Sequence, residues 1–181
     1  ARTTLARCDR IAVCSGPGSF TGVRIGLATA WGLSRASGIP VEAVSTLACM
    51  AEAARNDAGS NAARNDAARD TVGGEPTRVA AVLDAGRGEL VLERFALDGT
   101  RARSLSPPVR VTAEALREAA QGDPVVELPP GLTGAAAAPL RHSPSAGLAL
   151  AVARAPGTPA SAPAQASYSR PSAAEERHGL A

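Results

Sequence analysis

The chain has 181 residues, with nineteen basic side chains, all arginine, against seventeen acidic ones; no run concentrates the net charge of +2 into a nucleic-acid surface. Hydrophobic residues make up 45% of the sequence but include only two Phe, one Trp and one Tyr, so a core must be assembled from Val, Leu, Ile and Ala and is shallow. Cys8, Cys14 and Cys49 without C-x-x-C spacing, no leader pattern and no membrane-length apolar run predict a reduced cytoplasmic protein away from membranes; His142 and His178, the only histidines, lack metal-ligand spacing.

Ala1 to Asp9 reads as a connecting segment. Arg10 to Cys14 is a short apolar run that predicts a buried strand, with Cys14 a small core residue rather than a nucleophile, since no histidine is near it in sequence. Ser15-Gly-Pro-Gly-Ser-Phe-Thr-Gly-Val-Arg24 then reads as a glycine turn into a helix. Gly16 and Gly18 permit backbone angles closed to other residues, Pro17 stiffens the reversal, and Ser19 stands where it caps the helix. The free amides of such a helix suit an anion, a nucleotide phosphate above all; a plain tight turn accounts for the same residues. The absence of lysine excludes a Walker A loop.

The helical pattern runs from Phe20 to Ala36. Gly22, Gly26, Ala30 and Ser34 form a small-residue stripe, flanked by Val23, Leu27 and Trp31 and by Ile25 and Leu33, which leaves a narrow solvent arc at Arg24, Ala28 and Arg35. Such a helix is enclosed on most sides, by a neighbouring helix of the same chain or by another subunit. Gly38 and Pro40 end it. Val41 to Val44 predicts a second strand, and Ser45 caps a second helix to about Arg55 with Leu47, Met50, Ala51 and Ala54 on one face. Arg55 to Pro76 is polar and alanine-rich, carries Ala-Ala-Arg-Asn-Asp at 53–57 and again at 62–66, and reads as a helical extension fraying into a linker.

Arg78 to Asp84 and Glu89 to Leu97 predict a β-hairpin around Gly86 and Gly88. Asp84 and Glu89 read as a strand end and a partner for a local arginine rather than an acid/base pair. Thr112 to Ala120 predicts a capped helix with Leu116 and Ala119 toward the core, and Val125 to Leu128 a strand. The prolines of Pro129-Pro-Gly-Leu-Thr-Gly134 suit a phosphate grip poorly. Ser145 to Arg154 predicts a last helix before a Pro/Ala/Ser linker. The chain divides into a first lobe (1–57), a linker (58–76), a second lobe (77–155) and a tail (156–181).

Gly16-Pro-Gly-Ser-Phe-Thr-Gly-Val-Arg-Ile-Gly-Leu-Ala-Thr-Ala-Trp-Gly-Leu33, with Ile39-Pro-Val41 and Val44-Ser-Thr-Leu47, closely resembles the TsaB family. Asp84, Ala85, Arg87, Gly88 and Glu89 match its hairpin turn, though Gly86 departs from it and the tyrosine is missing; Tyr168-Ser-Arg170 resembles its closing Tyr-x-Arg segment. The resemblance implies an α/β, actin-like (ASKHA, ribonuclease H-like) two-lobe fold, of which the opening strands and helix of the first lobe would precede Ala1. It further implies a non-catalytic subunit that dimerises with the catalytic threonylcarbamoyltransferase TsaD, with the ATPase TsaE as a further partner, a homodimer when alone, and tRNA contact only through the complex. TsaD binds iron or zinc through a His-x-x-x-His pair that this sequence lacks. No cofactor of its own is implied, but an adenine nucleotide at the subunit interface is. The implied nucleotide and interface loop is Gly16, Pro17, Gly18, Ser19, Thr21, Gly22 and Arg24, and the implied docking helix carries Gly22, Gly26, Ala30 and Trp31.

Two other readings compete. A dinucleotide-binding Rossmann oxidoreductase would use Gly16-x-Gly18, Gly22 and Glu42, but its third glycine falls where Ser19 or Phe20 stands, and its acid belongs at a strand end. A peptidase has no Ser/His/Asp or metal constellation to rest on.

Overall fold

The computed structural model describes residues 4–62, 77–97, 101–128, 132–133 and 147. The expected linker beyond Ala62, the turn at 129–131 and 134, both histidines, the tail, and the last helix apart from Gly147 lie outside the described residues. A single 3-10 turn, Leu5–Arg7, precedes the first strand.

Two parallel strands, β1 (Ile11–Cys14) and β2 (Val41–Val44), form a small sheet in register Ile11 to Val41 through Cys14 to Val44. The helix between them, α1 (Phe20–Ser37), is the crossover that a parallel pair requires. It ends where Gly38 takes φ 75° and returns its amide to the Ser34 carbonyl. Val23, Leu27 and Ala30 of α1 close over Val13 and Val41. After β2, α2 (Thr46–Ala62) continues past Arg55 into the expected helical extension, and its Ser45 cap accepts the Ala48 amide at 3.5 Å.

The second sheet has five strands. β3 (Thr77–Gly86) and β4 (Glu89–Leu97) form the expected hairpin; its turn places Gly86 and Gly88 at φ 79° and Arg87 at φ 58°, after a register shift between Asp84 and Gly86. β5 (Ala102–Ser104) and β6 (Val109–Thr112) lie end to end along the outer edge of β4, and β7 (Val125–Leu128) runs parallel to β3 on the other side. The sequence reading contains neither β5 nor β6. It also takes Thr112 to Ala120 as helix, whereas Thr112 ends β6, residues 113–115 turn, and α3 covers only Leu116–Ala120. The capping contact survives that correction, for Thr112 Oγ1 still accepts the Ala115 amide at 3.4 Å. Leu116 and Ala120 are buried, and Ala119 packs partly buried against the same cluster, as expected.

Both faces of this sheet are covered, so β4 shows no clean alternation. On one face Leu47, Met50 and Ala51 of α2, all 0% exposed, pack on Val79, Ala81, Leu83, Val91 and Phe95. On the other, Leu116 and Ala120 of α3 meet Ala80, Val82, Leu90 and Leu92. Polar groups tie the edges together. Arg94 Nε donates to Asp123 Oδ2 at 2.7 Å and its Nη1 to Gln121 Oε1, fastening β4 to the approach to β7. The buried Glu52 of α2 takes Arg55 Nε at 2.9 Å and the Ala102 amide at 2.5 Å, bringing β5 to α2.

Glu93 lies 8% exposed in β4 opposite Ala81, and burial raises its carboxyl above the ordinary value of 4.5 against a smaller opposing pull from a Ser104 hydrogen bond. The folded chain therefore holds that proton to higher pH than the unfolded chain, and the stability it contributes at low pH is lost as pH rises from the ordinary value through the raised one. Glu93→Gln is expected to be more stable than the parent at neutral pH and to flatten this part of the stability–pH curve, measured by urea melts across pH 4 to 8.

Gly147, helical and buried, lies with its Cβ direction against the Cys49 carbonyl oxygen and 3.3 Å from Ala53 Cβ. Any side chain there meets α2 backbone, so Gly147→Ala should cost at least ~1–3 kcal/mol in chemical denaturation.

Candidate functional site

The site grows from the turn after β1. Ser15 donates its amide to the Val44 carbonyl at 2.9 Å and its hydroxyl to the same oxygen at 3.3 Å, which closes the end of the small sheet. Gly16 sits at φ 105°, a conformation that favours glycine, and its carbonyl accepts the Thr46 amide at 2.9 Å. The Gly16–Pro17 peptide is cis. Gly18 departs from expectation: it has no positive φ, and a Cβ there would meet only Val23 Cγ2 at an ordinary 3.8 Å. Ser19 caps α1 as expected, its Oγ accepting the Gly22 amide at 3.3 Å and its carbonyl the Val23 amide at 2.9 Å. Thr21 and Arg24 are exposed, with the Arg24 guanidinium 4.1 Å above the Phe20 ring.

Facing this turn is the far end of the β3–β4 hairpin, and a cleft of about 630 Å³ lies between them. Cys14, Ser19, Gly22 and Thr46 form one wall, and Leu83, Asp84 and Leu128 the other. No arginine lines it among the described residues. The sequence reading ends the strand at Asp84, but β3 runs on to Gly86 after a register shift; Asp84 Oδ1 accepts the Gly86 amide at 2.6 Å. Glu89 is likewise a local partner, 3.4 Å from Arg110 Nη1.

Cys14 is only half buried and reaches this cleft, which corrects its expected place in the core; residues 11–14 are enclosed by one helix, α1, so the strand end stays open. Its Sγ lies 3.8 Å from Cys49 Sγ on α2. A hydrogen bond from Cys49, aided by Thr46, brings the Cys14 thiol down to about 7 against the opposing effect of burial; Cys49 moves upward through the same hydrogen bond and its burial. Neither Thr46 nor the thiol pair is legible as a site in the sequence, because residues 35 apart meet only through the β1–β2 register.

The small-residue stripe of α1 turns inward. Gly26 presents its Cβ direction to Val13 Cγ2 at 3.5 Å, Ala30 is 5% exposed, and Trp31 is half buried; only Gly22 is open to solvent. The helix is not enclosed on most sides: Phe20, Ile25 and Leu33 are 43%, 62% and 41% exposed. The stripe therefore serves close approach of α1 to its own strand, and the apolar surface points the other way.

Residues 1–156 match the family model described as TsaD, tRNA N6-adenosine threonylcarbamoyltransferase. The chain belongs to this family, in its TsaB/YeaZ group. The tRNA threonylcarbamoyladenosine biosynthesis protein TsaB of Escherichia coli (strain K12) is 36% identical over 96 residues, which is 53% of this chain and 35% of that protein. Its Haemophilus influenzae counterpart is 48% identical over 50 residues, or 28% of this chain and 21% of that protein. The matched region thus spans about a third or less of these curated relatives. YeaZ from Pseudomonas aeruginosa aligns with a TM-score of 0.50 at 32% identity over 61% of this chain and 45% of that one. A protein described as uncharacterized with similarity to peptidase YeaZ aligns at 0.55 and 25% identity, over 92% of this chain and 76% of the other. The actin-like α/β fold expected from the sequence is therefore the fold of the family.

Nothing supports the Rossmann alternative. Glu42 lies inside β2 and pairs with Arg10 Nη1 at 3.2 Å instead of standing at a strand end to receive a ribose. Among the described residues no group of three or more His, Cys, Asp or Glu converges as metal ligands, and no helix is long and apolar enough to cross a membrane.

With Gly26 in contact with Val13, a larger residue there strains the fold itself. Gly26→Leu is expected to lower stability by ~1–3 kcal/mol, measured by urea unfolding of the chain alone.

Proposed function

We propose that this chain is a non-catalytic subunit that docks on the catalytic threonylcarbamoyltransferase, TsaD, and supports threonylcarbamoyladenosine formation in tRNA. The observation that carries this is the outward face of α1. At ~100° per residue, Ile25, Thr29, Gly32, Leu33 and Ala36 fall together opposite the buried Val23, Leu27 and Ala30; all five are exposed and none is charged. An exposed helix face with an isoleucine at 62% and no charge suits a packed interface better than free solvent. The family relatives are named for threonylcarbamoyladenosine biosynthesis, which supplies the class of complex.

A supporting rather than catalytic role fits the cleft. Among the described lining residues the carboxylate, Asp84, is held by the amide of its own turn, and the thiol, Cys14, faces a second thiol rather than a base. An adenine nucleotide at the subunit interface belongs to the same proposal. Gly22 lies beside both the cleft and the exposed face, and the apolar walls suit a base ring, while Asp84 opposite the α1 amides disfavours phosphate at that depth. With a net charge of +2, tRNA is met through the complex, in the cytoplasm. TsaE is a further partner in this proposal, and a second copy of this chain takes the same face when the chain is alone.

Isothermal titration of the chain with purified TsaD tests it. Ile25→Arg should weaken binding at least ~10-fold, a loss of ~1.4 kcal/mol, with an unchanged melting curve because the side chain is already mostly in solvent. Unaltered affinity removes this face from the interface, and threonylcarbamoyl transfer by the chain alone sinks the non-catalytic role.

A further inference from the structure

We propose that Cys14 and Cys49 are a reactive thiol pair, oxidised to an intramolecular disulfide by a small-molecule disulfide that enters the cleft, with Cys14 attacking and Cys49 resolving. Three observations carry this. The two Sγ atoms are already 3.8 Å apart, so forming a bond needs side-chain adjustment rather than movement of whole elements. The two thiols also differ in access: Cys14 lines the cleft, whereas Cys49 is 0% exposed, with Gly147 against its carbonyl. Finally, Cys14 stands beside the first turn of α2, where Thr46 and Cys49 both hydrogen-bond its sulfur and the positive end of the helix favours a thiolate. Cys8, the third cysteine, lies apart and donates to the Thr4 carbonyl at 3.8 Å.

The order of steps follows from access. Cys14 thiolate attacks one sulfur of the incoming disulfide; the new bond joins Cys14 to that sulfur, and the other half leaves as a thiolate that takes up a proton. Cys49 then loses its proton to water and attacks Cys14 Sγ, which expels the bound half as a second thiolate. Two protein thiols are oxidised by two electrons and the small disulfide is reduced to two thiols. The product ties the end of β1 covalently to α2, the helix that packs on the large sheet. In this state the cleft wall loses its thiol.

Oxidised glutathione is the probe, applied to the full chain carrying Cys8→Ser, followed by unfolding, alkylation and mass analysis. The expected result is loss of both remaining free thiols, a fall of two hydrogen masses and a Cys14–Cys49 linked peptide, all reversed by a reducing thiol. Cys49→Ser should stop at one glutathionyl group on Cys14, and Cys14→Ser should leave Cys49 fully alkylatable. A stable glutathionyl group on Cys14 while Cys49 is intact, full alkylation of both thiols after exposure, or modification of Cys49 in the Cys14→Ser chain would each overturn the proposal. Peptide mapping of the chain with both cysteines decides the point without reliance on either variant.

Discussion

One helix end holds the molecule together. The first turn of α2 gives its Thr46 amide to the Gly16 carbonyl at 2.9 Å, while Leu47, Met50 and Ala51, just beyond it, are wholly enclosed by the large sheet. A two-stranded parallel sheet is marginal in water by itself, and among the described residues the apolar cover of β1 and β2 comes from α1. What positions the Gly16 turn is therefore a hydrogen bond to a helix that is itself fixed by someone else's core. The cleft inherits that dependence, since Cys14 and Thr46 stand on one side of it and Leu83 and Leu128 belong to the sheet that α2 covers.

That arrangement also limits what the cleft can do. A capped helix N-terminus usually favours an anion, and α1 is properly capped by Ser19. Here, however, a carboxylate rather than an arginine faces it, and the arginines near the turn are spent elsewhere: Arg24 on the Phe20 ring and Arg10 on Glu42. The motif supplies the geometry of a phosphate turn without its counter-charge. Its clearer result is mechanical, because Gly16 at φ 105° lets the chain reverse while its carbonyl still reaches α2.

Local chemistry was legible where one residue decides one conformation. Ser19 and Ser45 as caps, Gly38 as a helix end, and Gly86 and Gly88 as hairpin corners could be read because each satisfies or frees specific backbone groups within four residues. Orientation was not legible. The stripe of Gly22, Gly26, Ala30 and Ser34 was seen as a close-packing face, but sequence periodicity does not say whether a strand of the same chain or another subunit fills it. Val13, brought there by the β1–β2 register, does. β5 and β6 escaped notice for a related reason. Three or four residues carry too weak a pattern, and both exist because β4 offers nine residues of edge that two short segments share. The sequence places a helix start at Thr112 because a capping hydroxyl looks the same whether a helix or a turn follows it.

The two halves of the molecule differ in how completely they satisfy themselves, and this asymmetry bears on partnership. The large sheet has apolar cover on both faces, its half-buried Arg94 bound to Asp123 and its edge strand joined to α2 through Glu52. The small sheet has cover on one face, two outer strand edges unpaired among the described residues, and three large apolar side chains of α1 in solvent. Apolar surface lowers its free energy on contact with another surface, so the proposed docking uses the α1 side. A partner there would bury the outward residues of α1 while Val23, Leu27 and Ala30 continue to grip the strands, so binding would brace the small sheet without rearranging it. The inward turn of the glycine stripe is what makes this possible, for a helix that had spent its apolar side chains on its own strands would have none to offer.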